Sequence, residues 1–186
     1  MTSSTNISIA QFSKLIKFDN VSQNLSTMPA PDRARLLKTV HAHIEEFNKW
    51  TPESTLAFRN PNSTHEYRPA SLRAGRLNHK DLTETLNHMR TKVPEFKFTI
   101  IHDETLVDVE QRKVLLSLKC HAPTEIGLYH NEYFWVLKLS EDGTEIEESL
   151  EFMDSDYANT FMTKLGLLKE RPDALQKDGP KVGWDI

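Results

Sequence analysis

The segment Gly127-Leu-Tyr-His-Asn-Glu-Tyr-Phe-Trp135 sets Tyr129, Asn131, Tyr133 and Trp135 at alternate positions. On a strand, alternate side chains share one face. Three polar-tipped rings and an amide need hydrogen-bond partners once buried, so the row fits a wet pocket or a bound ligand better than a dry core. Turned to solvent, it would be an ordinary tyrosine-rich sheet surface. Glu151 lies across the turn Ser140-Glu-Asp-Gly-Thr144. If that turn is a three-residue loop with Gly143 in the left-handed conformation, Tyr133 and Glu151 stand directly opposite, side chains on the same face. A two-residue Asp-Gly loop shifts the register by one and turns Glu151 away. The first register joins a carboxylate that can move a proton to phenols that can donate to a developing oxyanion. The second leaves Glu145, Glu147, Glu148 and Glu151 as a solvated acidic strand. Arg59 and His65, in the connection that runs to Leu72, are the candidates for a permanent positive charge and an imidazole beside them.

Familiar chemistries lack their motifs. The sequence holds no GxGxxG, P-loop, HExxH, GxSxG or CxxC pattern, which leaves dinucleotide binding, phosphoryl transfer, zincin chemistry and serine-hydrolase chemistry without a warrant. Among the histidines, His41 and His43 are the nearest pair, but i and i+2 on a helix point to different faces and cannot chelate one ion. No metal site is expected.

The elements that must position these residues follow from periodicity. Leu36, Leu37, Val40, Ile44 and Phe47 make one helical face over 32–48, with Asp32 in the first turn. A second helix over 79–92 carries Leu82, Leu86 and Met89, is capped by Asn78 and is stopped by Pro94. Between the helices Pro52, Pro61 and Pro69 cut the chain into pieces that can include one strand through Thr64–Arg68. From Phe96 the period becomes two, giving strands around 96–100, 114–122, 126–139 and 145–153 in an antiparallel meander. A last helix from about Asp156 buries Tyr157, Phe161, Leu165 and Leu168. Helices, then strands, then a helix argue for an α+β domain at 29–168. Residues 1–28 form an extension whose Ile9, Phe12, Leu15 and Ile16 are spaced for a short amphipathic helix. Residues 169–186 form an irregular tail that Trp184 can pin.

At 186 residues the chain can bury one sizeable core without staples. A net charge of -4 with both signs intermixed provides no basic stripe, so nucleic acid is not an expected partner. The single cysteine, Cys120, rules out an intramolecular disulfide and suits a reducing compartment. With no secretory h-region and no membrane-spanning apolar run, the expected location is the cytoplasm.

The succession Arg59-x-Pro61-x-x-x-His65 running into Pro69-Ala-Ser-Leu72, then Gly127-x-Tyr129-x-Asn131-Glu132-Tyr133, then Glu151-Phe-x-Asp154-Ser155 resembles the fungal branch of the SnoaL-like, nuclear transport factor 2-like proteins, over roughly residues 30–168. The resemblance implies a cone with a curved antiparallel sheet, N-terminal helices and a C-terminal helix around a deep apolar cavity. It also implies a homodimer, no cofactor and a polycyclic small-molecule substrate. Its members with roles are isomerases and cyclases of secondary metabolism, acting on meroterpenoids or prenylated indole alkaloids through acid–base or semipinacol-type rearrangement. The alkaloid semipinacolase points to Glu151, Tyr133, Tyr129 and Arg59 as catalytic, with Arg68 able to replace Arg59; His65, Asn131, Trp135 and Arg68 are then substrate-binding. Two alternatives stand beside this reading. One is a dehydratase with His65 or His121 as base; the other is a non-catalytic binding or dimerisation module with Leu137 and Leu139 at an interface.

Overall fold

The structure, a computed structural model, describes residues 30–72 and 74–169, so the expected N-terminal helix and the tail from Glu170 lie outside the described residues. Helix α1 (Arg33–Phe47) begins at Asp32, whose carboxylate accepts from the Arg35 N–H and so caps the helix. Its buried face is Leu36, Thr39, Val40, His43, Ile44 and Phe47. Helix α2 (His79–Arg90) has Asn78 as cap, accepting from the Asp81 N–H, and buries Leu82 and Leu86. Helix α3 (Ser155–Lys164) is capped in the same way by Asp154, which accepts from the Tyr157 N–H.

The strands are β1 (Arg59–Arg68), β2 (Arg76–Asn78), β3 (Lys97–Ile100), β4 (Leu106–Asp108), β5 (Lys113–Thr124), β6 (Gly127–Tyr129), β7 (Glu132–Leu139) and β8 (Ile146–Met153). They form one sheet in the order β2-β1-β8-β7-β5-β3, with β4 and β6 also paired to β5. The sheet is mixed and not wholly antiparallel as expected, because β1 runs parallel to β8 while the other pairs are antiparallel. Parallel neighbours need a long crossover, and here α1 and α2 flank β1 in sequence while β8 arrives only after the meander. The inner face of β5 and β7 is a continuous buried layer, Val114, Leu116, Leu118, Cys120 and Ala122 beside Tyr133, Trp135, Leu137 and Leu139. Leu137 and Leu139 are fully buried there, which removes them from any interface.

The β7–β8 hairpin decides which way Glu151 faces. The loop is closed by Ser140 and Glu145, with the Ser140 N–H donating to the Glu145 carbonyl, one residue longer than the three-residue loop expected. Alone, that extra residue would send Glu151 to the outer face. A bulge between the Leu139↔Ile146 and Lys138↔Glu148 pairs adds a second residue to β8 and restores the face. Glu151 therefore stands opposite Trp135, and Tyr133 opposite Met153, a register two residues from the expected pairing but on the same side.

Gly143 takes the left-handed conformation expected of it, at φ 73°, and a Cβ there would lie 2.6 Å from the Cβ of Pro31. Left-handed strain and overpacking add, so Gly143→Ala should cost about 2–4 kcal/mol. The expected readout is a lower urea midpoint with an unchanged slope; an unchanged midpoint would show that this turn does not hold α1 against the hairpin.

Candidate active site

Between the inner sheet face and the helices lies a cavity of about 240 Å³. Phe96, Phe98, Leu82, Leu86, Met153 and Met162 give it largely apolar walls, and Arg59, His65, Tyr67, Tyr129, Tyr133 and Glu151 are the polar groups that the sheet contributes. A few convergent polar groups in an apolar hollow are the usual form of a small-molecule site.

Glu151 is 8% exposed. Its neighbours across the sheet are Trp135 on β7 and Tyr67 on β1, and its Oε2 lies 3.2 Å from His65 Nε2. The contact is bent, since Nε2 has no hydrogen-bond acceptor in line with it. Behind His65, the Nδ1 atom is 2.8 Å from Ser149 Oγ, and Arg59 Nη1 donates to that same hydroxyl at 2.9 Å. Arg59 Nη2 comes to 3.5 Å from His65 Nδ1. This group follows from two strand alternations meeting, Ser63, His65 and Tyr67 on β1 and Ser149, Glu151 and Met153 on β8, in the parallel register His65↔Ser149 and Tyr67↔Glu151.

A second group lies along β6 and β7. The hydroxyls of Tyr129 and Tyr133 are 3.0 Å apart, and Asn131 Nδ2 donates to the Tyr129 oxygen at 2.9 Å and to the Asp154 carbonyl at 3.0 Å. Two phenols own two hydrogens and their mutual bond uses one, which leaves the other for an acceptor in the cavity or for the Cys120 sulfur beside Tyr133. Tyr157 stacks on Tyr129 at 5.4 Å between centroids and fixes the ring from α3.

Burial dominates the electrostatics. It pushes the Tyr129, Tyr133 and Tyr67 hydroxyls above their usual range, with Glu151 adding to the shift in each, so all three stay protonated donors. Burial lowers His65 below the ordinary histidine value; Glu151 opposes the shift and Arg59 reinforces it, leaving a neutral imidazole. His43 is lowered to about 3 by burial, with Arg59 reinforcing, while its Nδ1–H donates to the Ala57 carbonyl. Burial brings Arg59 down to about 10, against the pull of Tyr67 and Glu151.

Glu151, Tyr129, Tyr133, Arg59, His65 and Trp135 all line the cavity. Asn131 does not: it is 7% exposed and braces Tyr129 from behind. Arg68 is excluded, because it faces out from β1 and pairs with Glu66 at 2.5 Å. Strand alternation forces this, since Tyr67 takes the inner face and its neighbour must take the outer. His121 is exposed on β5 opposite Lys97, away from the cavity. The unforeseen members are Tyr67 and Ser149. Tyr67 shares a face with His65 at i+2, a signal present in Thr64-His-Glu-Tyr-Arg68; Ser149 has no local signal, because its role depends on the pairing of β8 with β1.

No family model matches the chain. Austinoid biosynthesis cluster protein J of Aspergillus calidoustus is 32% identical over 124 residues, 66% of this chain and 75% of that protein. Austinoid biosynthesis clusters protein H of Penicillium brasilianum is 30% identical over 138 residues, 73% of this chain and 94% of that one. Among solved structures, the BvnE pinacolase from Penicillium brevicompactum superposes with a TM-score of 0.68 at 29% identity, covering 72% of this chain and 96% of its own. AusH from Aspergillus nidulans gives 0.64 at 27% identity, covering 67% and 87%. A nuclear transport factor 2-like protein from Burkholderia pseudomallei shares the fold at 14% identity, with a TM-score of 0.54. With its motifs, its cavity and these relatives in agreement, the chain belongs to the fungal SnoaL-like, nuclear transport factor 2-like family of secondary metabolism.

Proposed function

We propose that the chain is an isomerase or cyclase that works without a cofactor, rearranging an oxygenated polycyclic metabolite by moving a proton within the cavity. The observation that carries this reading is Glu151: one buried carboxylate on the wall of an apolar hollow, with Tyr67 across one strand pair and the Tyr129–Tyr133 pair beyond the other.

In a semipinacol-type step the substrate holds a hydroxyl on one carbon and a strained ether oxygen on the next. Glu151 takes the hydroxyl proton, a C=O bond forms at that carbon, and its C–C bond migrates to the neighbour as the neighbour's C–O bond breaks. The alkoxide so released takes a hydrogen from a tyrosine, which Glu151 then replenishes. Substrate and product have the same composition. Phenols held protonated suit the donor role, and the Arg59 charge behind the carboxylate favours negative charge at that end of the cavity. The name pinacolase on a structural relative supports the same class.

The dehydratase alternative loses support from the histidines. His121 is outside the cavity, and both ring nitrogens of His65 are engaged or enclosed, Nδ1 by Ser149 and Nε2 against Glu151. The test uses the compound that accumulates in the source organism when this gene is deleted. Purified protein with no added cofactor should convert it to a product of equal mass; a product lighter by one water would support elimination, and no conversion would remove the enzymatic reading.

A further inference from the structure

The partners of His65 point to which of its nitrogens carries the hydrogen. Arg59 is a donor only, so the Ser149 oxygen accepts from Arg59 Nη1. The Ser149 hydrogen then has two acceptors in reach, His65 Nδ1 at 2.8 Å and the Thr64 carbonyl at 3.3 Å. The shorter contact is to the imidazole, and Arg59 Nη2, a second donor, approaches the same Nδ1. The short Ser149 contact and the approach of a second donor, Arg59 Nη2, favour a lone pair on Nδ1 over the alternative in which Nδ1–H donates to Ser149 and Ser149 to Thr64. This places the hydrogen of a neutral imidazole on Nε2. That hydrogen is on the side of Glu151 Oε2, 3.2 Å away in the bent contact described above, close enough for attraction to the carboxylate though not aligned as a hydrogen bond.

We propose that His65 is a positioning residue for Glu151, locked by Ser149 and Arg59 as the Nε2–H tautomer so that it holds one carboxylate oxygen and leaves the other to the substrate. The proposal rests on the function given above and assigns this part of the site a role that neither acid–base chemistry nor substrate contact by His65 supplies. The arrangement is that of a carboxylate whose orientation is set by its neighbours, as a ligating or catalytic group is commonly held by the shell behind it. Every charged or titratable group facing His65 among the described residues fits this assignment. Arg59 and Tyr67 come from its own strand, Glu151 from β8 and His43 from α1, and of these only Glu151 is an acceptor within reach of Nε2. His43 cannot compete, because its own Nδ1–H is committed to Ala57 and its Nε2 reaches no partner among the described residues.

The test has a spectroscopic arm that needs no substrate. In ¹⁵N-histidine-labelled full-length protein at neutral pH, His65 should show an unprotonated Nδ1 and a protonated Nε2, and Ser149→Ala should introduce the other tautomer. Protonated Nδ1 in the wild type, or a doubly protonated ring, would overturn the proposal. In the kinetic arm, with the metabolite from the deletion strain, His65→Phe should lose about 10²-fold in kcat with KM little changed, the scale of a misaimed catalytic group. His65→Gln, whose amide nitrogen falls where Nε2 does, should recover most of that loss. A glutamine variant as poor as the phenylalanine one would overturn the positioning role, provided both keep the wild-type melting temperature. Full turnover by Glu151→Gln would instead defeat the underlying function, whatever tautomer His65 shows.

Discussion

Glu151→Gln is expected to lower kcat on the accumulated metabolite by about 10³-fold, within the 10²–10⁴ that a positioned acid–base group contributes. Binding should persist, because glutamine keeps the shape of the side chain and the cavity is walled mainly by apolar groups. Little folding stability should be lost, since the amide can still accept at the position Oε2 takes beside His65. The distinguishing pattern is a large fall in kcat with a nearly constant KM, the mark of an interaction made in the transition state. A fall confined to KM would reduce Glu151 to a substrate contact.

Arg59→Met should move stability and activity in opposite directions. Arg59 is 7% exposed, its guanidinium hydrogen-bonds to a serine and reaches no carboxylate within ion-pair distance among the described residues, and burial lowers its pKa from the ordinary arginine value to about 10. Because the folded-state value lies below the unfolded one, the unfolded chain holds the proton more tightly. The penalty is therefore fully present at pH 7 and is lifted only as pH rises through 10 toward the ordinary arginine value. A shift of that size corresponds to about 3 kcal/mol. Replacement by an apolar side chain of similar reach should recover about 1–3 kcal/mol, the net of the burial penalty and the attraction of Glu151 that is lost with the charge. Ser149 keeps His65 Nδ1 as the acceptor for its hydrogen. Turnover should fall by about 10²-fold or more with the loss of the positive charge. Urea unfolding at pH 7 beside kcat on the same preparations checks both signs; a destabilised variant with full turnover would make Arg59 a structural residue.

Much of this architecture is written in short-range pattern. The three helices lie where apolar spacing puts them and Asn78 caps the second as expected, because caps and stripes act within one turn of chain. Asp32, expected in the first turn, is itself the cap of the first, and the Asp154 cap of the third is unforeseen. The row Tyr129, Asn131, Tyr133, Trp135 does turn inward. What sequence spacing misses is pairing over distance. The position of Glu151 depends on a four-residue loop and a bulge whose effects on facing cancel, so its inward face matches expectation through a register two residues away from the expected one. Ser149 and Tyr67 join the site only because β1 lies parallel to β8, a contact spanning 84 residues between His65 and Ser149. Arg68 turns outward, against expectation, because nothing local says which of two neighbouring strand residues takes the inner face.

The most direct test of the central claim is a structure of the Glu151→Gln protein soaked with the accumulated metabolite, which this variant should leave unconverted. The account predicts the compound inside the cavity, one oxygen about 3 Å from the amide introduced at position 151 and a second at similar distance from the Tyr67, Tyr129 or Tyr133 hydroxyl. A compound bound outside the cavity, or one presenting only carbon to that amide, would contradict it.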